Sequence, residues 1–114
     1  MTLHNTMMID GYQAVIAYDP DIQMFRGEFL GLNGGADFYA RDIKGLQREG
    51  RISLKVFLDA CAEDGVQPRR CFSGKFSLRV DPVLHEAAAT AAAAHGQSLN
   101  QWAENALRQA AEVA

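Results

Sequence analysis

At 114 residues, 48% hydrophobic and 22% charged, the chain has the composition of one ordinary globular domain or two small ones, which excludes a disordered segment. Its 11 Lys+Arg against 14 Asp+Glu give a net charge of −3, so a bulk basic surface is excluded and phosphate binding is left to local placement of cations. No apolar run reaches the length of a membrane span, and "MTLHNTMMIDGY" lacks the charged and apolar regions of a signal peptide; a cytoplasmic protein with Cys61 and Cys71 reduced is expected.

Residues 12–18, "YQAVIAY", are rich in β-branched and aromatic side chains and predict a strand. "DPDIQ" at 19–23 has the Asp and Pro content of a turn, and "MFRGEFLGL" at 24–32 predicts a second strand. "NGG" at 33–35 signals a tight hairpin, because Asn and Gly tolerate positive φ, and "ADFYA" at 36–40 is the third strand. The three make an antiparallel meander. Asp42 is placed to cap a helix over 43–63 with an apolar stripe of Ile43, Leu46, Leu54, Phe57 and Cys61, weakened by Gly45 and Gly50. Gly65 and Pro68 supply its stop. A βββα domain over 1–67 is therefore expected, followed by a linker, "PRRCFSG" with Cys71 in it, over 68–74, which has the alternative of adding a short edge strand to the sheet.

"KFSLRV" at 75–80 alternates apolar Phe76, Leu78 and Val80 with polar Lys75, Ser77 and Arg79, the pattern of a strand with one apolar and one basic face. Asp81 is an N-cap and Pro82 a favourable first residue for a helix over 82–95, whose alanine tract allows close packing. After Gly96 and Gln97, Ser98 and Gln101 form a capping box, and Leu99, Trp102, Ala103, Ala106, Leu107 and Ala110 recur on one helical face. Residues 75–114 thus read as strand, helix, helix, an α+β chain overall. About forty residues with a single strand are too few to close a core alone. Pairing of the strand with its own copy across a two-fold axis would solve both the open edge and the missing core. The dimer core is then Phe76, Leu78, Val80, Leu84, Leu99, Trp102 and Leu107, while Lys75, Ser77 and Arg79 form a two-stranded ribbon suited to base edges in the DNA major groove. The helix start at Ser98, Leu99 and Asn100 offers backbone N–H groups to a phosphate.

The run "GKFSLRVDPVLHEAAATAAAAHGQSLNQWAENAL" resembles the ribbon-helix-helix module, and "SGKF", "LRVDPVLH" and "SLNQW" resemble its version in HicB-family antitoxins. "YQAVIAYDPDIQMFRGEFLGLNGGADFYARD" and "SLKVFLDACAEDG" resemble the N-terminal domain of that family, a degraded RNase H-like fold. The resemblance implies an antitoxin that masks a small mRNA-cleaving HicA toxin with its N-terminal domain and represses its operon through a ribbon-helix-helix dimer or higher even oligomer. Its partners would be the toxin and operator DNA, with no membrane, cofactor or metal and no enzymatic activity. Tyr12, Phe25, Glu28 and Phe38 are the candidate toxin contacts.

Two other readings stand beside it. One is a ribbon-helix-helix regulator without a toxin. The other is a metal-dependent nuclease using Asp10, Asp19, Asp21, Glu28, Asp37 and Asp42, of which only Glu28 falls within a predicted strand. His4, His85 and His95 are scattered over the tail, a first helical turn and a helix end, and assemble no catalytic constellation.

Overall fold

The computed structural model describes residues 5–112. Seven elements follow one another: β1 (Thr6–Ile9), β2 (Tyr12–Asp19), β3 (Met24–Phe29), β4 (Asp37–Ala40), α1 (Ile43–Asp64), α2 (Pro82–Ala94) and α3 (Leu99–Ala111). The chain divides into two compact units between Ser73 and Gly74. The first holds the sheet and α1; the second holds α2 and α3.

The sheet is four-stranded, not three-stranded, with antiparallel order β1-β2-β3-β4. The additional strand is β1, which lies in what reads as an N-terminal tail. Asp10 and Gly11 join it to β2 with φ of 48° and 84°, positive at both central residues as a type I′ turn requires. Ile9 pairs with Tyr12 across that turn. The expected tight "NGG" turn is also corrected. Residues 30–36 form a longer connection, because part of it pairs elsewhere: Asn33 N donates to Pro68 O at 2.8 Å and Arg70 N to Gly31 O at 2.8 Å. Leu32 and Arg69 form an antiparallel bridge.

Alternation sorts the strands cleanly. Met7, Ile9, Tyr12, Ala14, Ile16, Phe25, Phe29, Phe38 and Ala40 pack on the side that α1 covers. Leu46, Leu54 and Cys61 of α1 are buried, and Phe57 and Leu58 pack partly. Ile43, expected in this stripe, is 57% exposed; the buried face begins at Gly45 and Leu46, on the turn that the Asp42 cap closes. Asp42 accepts from Gly45 N at 2.7 Å, and Gly65, at φ 69°, ends the helix in the left-handed region. The two glycines expected to weaken α1 are instead buried contacts. Any Cβ on Gly50 would strike Ile9 and sit 3.2 Å from the Phe38 ring, so this position lets the helix approach the sheet. Gly27 in β3 is still more confined, with its face covered by the Phe38 ring.

In the second unit, α2 and α3 are capped as the sequence predicts. Asp81 accepts from Val83 N at 2.9 Å with Pro82 next. Ser98 Oγ accepts from Gln101 N at 3.1 Å while Ser98 N donates to Gln101 Oε1 at 3.3 Å. Residues 75–80 lie outside the strands and helices, since a strand is defined by a ladder and none joins this segment to another among the described residues.

Gly27→Ala is expected to lower the unfolding free energy by about 1–3 kcal/mol, the usual cost of overpacking. Combining it with Phe38→Leu, which removes the obstructing ring, should restore part of that loss relative to additivity in denaturant titrations. An unchanged midpoint for Gly27→Ala alone would contradict the close approach.

Candidate nucleic-acid and partner interfaces

The second unit has almost no interior. Among its described residues only Ala92 is buried. Phe76 is 72% exposed, Leu78 64% and Leu84 54%, and Val80, Leu99 and Leu107 are exposed as well. Burying one such side chain is worth about 1.5–3 kcal/mol. The helices therefore present a large apolar stripe to solvent. Leu78, Val80, Leu84, Leu99, Trp102 and Leu107 line an open groove of about 310 Å³, with Trp102 half-buried along it. His85 lines the same groove.

Lys75, Ser77 and Arg79, on the polar side of residues 75–80, are exposed. Lys75 lines a second open groove together with Phe76, Leu99 and Asn100, so one base-contact candidate and two phosphate-contact candidates share a surface. Ser77 and Arg79 are exposed and line neither groove. At the α3 start, the capping box satisfies Gln101 N, and Trp102 N bonds Ser98 O at 3.0 Å. The N–H groups of Leu99 and Asn100, the first two helical positions, have no acceptor inside the helix. An anion could be held there by backbone donors and the helix dipole. Ser98 itself is engaged as the cap.

The first unit disposes of its candidate partner contacts differently. Phe38 is 4% exposed and holds the core; its ring fills the space over Gly27 and is not available to a partner. Phe25 is half-buried, edge-on to Tyr18 with centroids 5.4 Å apart. Tyr12 lies beneath the Arg69 guanidinium, 3.9 Å from ring centroid to Cζ, and Arg69 also donates to Gly11 O at 3.0 Å. With the bridge at Leu32, this fastens the chain leaving α1 onto the sheet. Glu28 points outward.

The outward sheet face was the part that side-chain type alone did not reveal. Register places Glu28 opposite Asp37 and Arg26 opposite Tyr39. Arg26 bonds Asp37 at 3.1 Å and Glu28 at 3.3 Å, and its pKa is raised above the ordinary value, first by the Asp37 hydrogen bond and then by the Glu28 charge. Met8, Val15 and Tyr39 lie exposed on the same face. The strict two-residue period of the strands is the signal that would have found this set. Arg26 occupies the space between the two carboxylates that a nuclease site would have offered to cations. Among the described residues no three His, Cys, Asp or Glu side chains are grouped to hold a metal ion. His95 Nδ1 lies 2.7 Å from Ala91 O at the end of α2, and His4 lies outside the described residues. Cys61 is buried and Cys71 exposed, both as free thiols. Among the described residues no helix is long and apolar enough to cross a membrane.

Residues 57–107, from the second half of α1 to near the end of α3, match the model of the HicB family. That match supports HicB family membership and spans just under half of the chain. It contains the extended segment and its two helices and leaves the sheet outside. No curated protein and no solved structure matches.

Arg69→Ala should destabilise the first unit, and a double-mutant cycle with Tyr12→Leu should give a coupling of about 0.5–1 kcal/mol, typical of an exposed cation–π pair. Additive losses in thermal unfolding would show that the strap does not depend on this contact.

Proposed function

We propose that the chain is a HicB-type antitoxin that acts by binding and carries out no chemistry of its own. In this reading residues 74–112 form a ribbon-helix-helix module that is completed by a second copy. The observation that carries it is the conjunction of an alternating apolar and polar segment at 75–80 with an uncovered apolar face on α2 and α3. Antiparallel pairing of two copies of 75–80 supplies each backbone with a ladder and brings Phe76, Leu78 and Val80 over the helices. Lys75, Ser77 and Arg79 then project together from the opposite face. A ribbon of this kind fits the major groove, where Arg and Lys donate to guanine and Ser reaches either base edge. Leu99 and Asn100 N–H anchor the flanking phosphate. The family match to 57–107 supports this part most directly.

The first unit would mask an mRNA-cleaving toxin of the HicA kind. The outward sheet face, with Glu28, Asp37, Tyr39 and the Arg26 they hold, offers a polar rim around exposed Met8 and Val15. Carboxylates at such a rim complement a basic ribonuclease and favour fast encounter. A second reading, a regulator without a toxin, is favoured by one observation: the matched residues leave the sheet outside. A short reading frame for a basic protein beside this gene would discriminate between the two.

The double variant Lys75→Ala, Arg79→Ala is expected to lose retention of its own upstream DNA at physiological salt. It should still capture the product of the adjacent gene in co-expression pull-downs. Undiminished DNA retention by this variant means the ribbon assignment is wrong. Glu28→Lys with Asp37→Lys should show the reverse pattern.

A further inference from the structure

Helix α1 carries a feature that neither the core nor the proposed ribbon uses. Lys44, Arg48, Arg51 and Lys55 follow one another at spacings of four, three and four residues. At 100° per residue they fall within an arc of about 60°, spread along roughly 16 Å of helix axis. All four are exposed, with the side chains of Arg48, Arg51 and Lys55 at 68%, 62% and 76%. The buried line of Leu46, Gly50, Leu54 and Cys61 lies well around the helix from them. Glu49 is the one acidic residue between Ile43 and Leu58. In a chain of net charge −3, this is a concentrated cationic stripe.

Its existing partners hold it loosely. Arg48 contacts Glu49 at 3.3 Å, Arg51 reaches Asp10 only at 3.8 Å, and Lys55 pairs with Asp59 at 2.8 Å, every one of these carboxylates being at least 40% exposed. Exposed ion pairs of this kind contribute little and exchange readily for a stronger anion. The stripe contains no aromatic or aliphatic side chain, and such anchors are what protein interfaces centre on. Evenly spaced, exchangeable cations along one helix face complement a polyanion with regularly spaced charges.

We propose that the Lys44–Arg48–Arg51–Lys55 stripe is a second nucleic-acid contact, binding the phosphate backbone of duplex DNA without reading sequence. The choice of duplex DNA as the polyanion rests on the ribbon reading given above; the cationic site itself does not. All four residues precede the family-matched segment 57–107, so that match carries no statement about them. Backbone neutralisation of this type releases condensed counterions and makes affinity steeply salt-dependent.

The test uses the full chain and fluorescence anisotropy with two short duplexes, the chain's own upstream DNA and a scrambled sequence, over a series of salt concentrations. The variant Lys44→Ala, Arg48→Ala, Arg51→Ala, Lys55→Ala should reduce the slope of log K against log salt by about 3.6 on both duplexes if each cation makes one phosphate contact worth roughly 0.9. Preference for the upstream DNA should remain. A charge-keeping control, Arg48→Lys with Arg51→Lys, should retain the slope, and thermal melting checks that each variant is folded. If the alanine variant does not fold, the glutamine series at the same four positions replaces it. An unchanged slope overturns the proposal, as does a slope change seen with single-stranded RNA and absent with duplex DNA. Failure of the ribbon reading is separate: every form would then lack preference for the upstream DNA, while a slope drop in the stripe variant would still stand.

Discussion

The peptide groups of residues 75–80 set the terms for the rest of the second unit. A segment alternating apolar and polar side chains carries N–H and C=O groups that, among the described residues, no neighbouring strand takes up in a ladder. The unit has a second difficulty in apolar form, with Phe76, Leu78 and Val80 of the segment and Leu84, Leu99 and Leu107 of the helices open to water. Neither problem is solved by rearranging one copy, because a unit of this size has too little surface to bury. In the proposed dimer both would be solved by one operation, a two-fold axis through the segment. The proposed DNA ribbon is then a by-product of completing the core.

The first unit is closed by different means. Its sheet is covered on one side by α1, and the close seating of that helix depends on Gly50 and on the space over Gly27 that Phe38 fills. The connection after α1 returns to bridge Leu32 and to lay Arg69 on Tyr12. This leaves one sheet face and one helix face to solvent, and they differ in charge pattern. The sheet face sets Glu28 and Asp37 around a single Arg26, whereas the helix face lines up four cations. Charge on this acidic chain is thus segregated by element.

Much of this was legible in the sequence wherever the determinant is local. Asp42, Asp81-Pro82 and the Ser98/Gln101 box cap their helices as read, since a cap is decided within four residues. What the sequence hid is non-local. β1 is four residues long and looks like a tail; only its Asp10-Gly11 turn betrays it. "NGG" reads as a tight turn, yet its neighbourhood pairs with residues more than thirty positions away. Gly45 and Gly50 read as weak points in a helix, where propensity argues against them, and packing reverses the sign. Phe38 read as an exposed candidate contact because its strand's register was unknown; pairing with Gly27 turns it inward. The alternation of 75–80 is equally local, whereas the pairing proposed for it involves a second molecule and is not described by one chain.

The most direct measurement of the account is amide hydrogen exchange over residues 75–80 in the intact protein, followed as a function of concentration. Strand pairing between two copies predicts protected amides in this segment, with protection falling on dilution in step with dissociation measured by light scattering. Exchange at the rate of an unstructured peptide at every concentration, in a protein whose α2 and α3 amides remain protected, would contradict it.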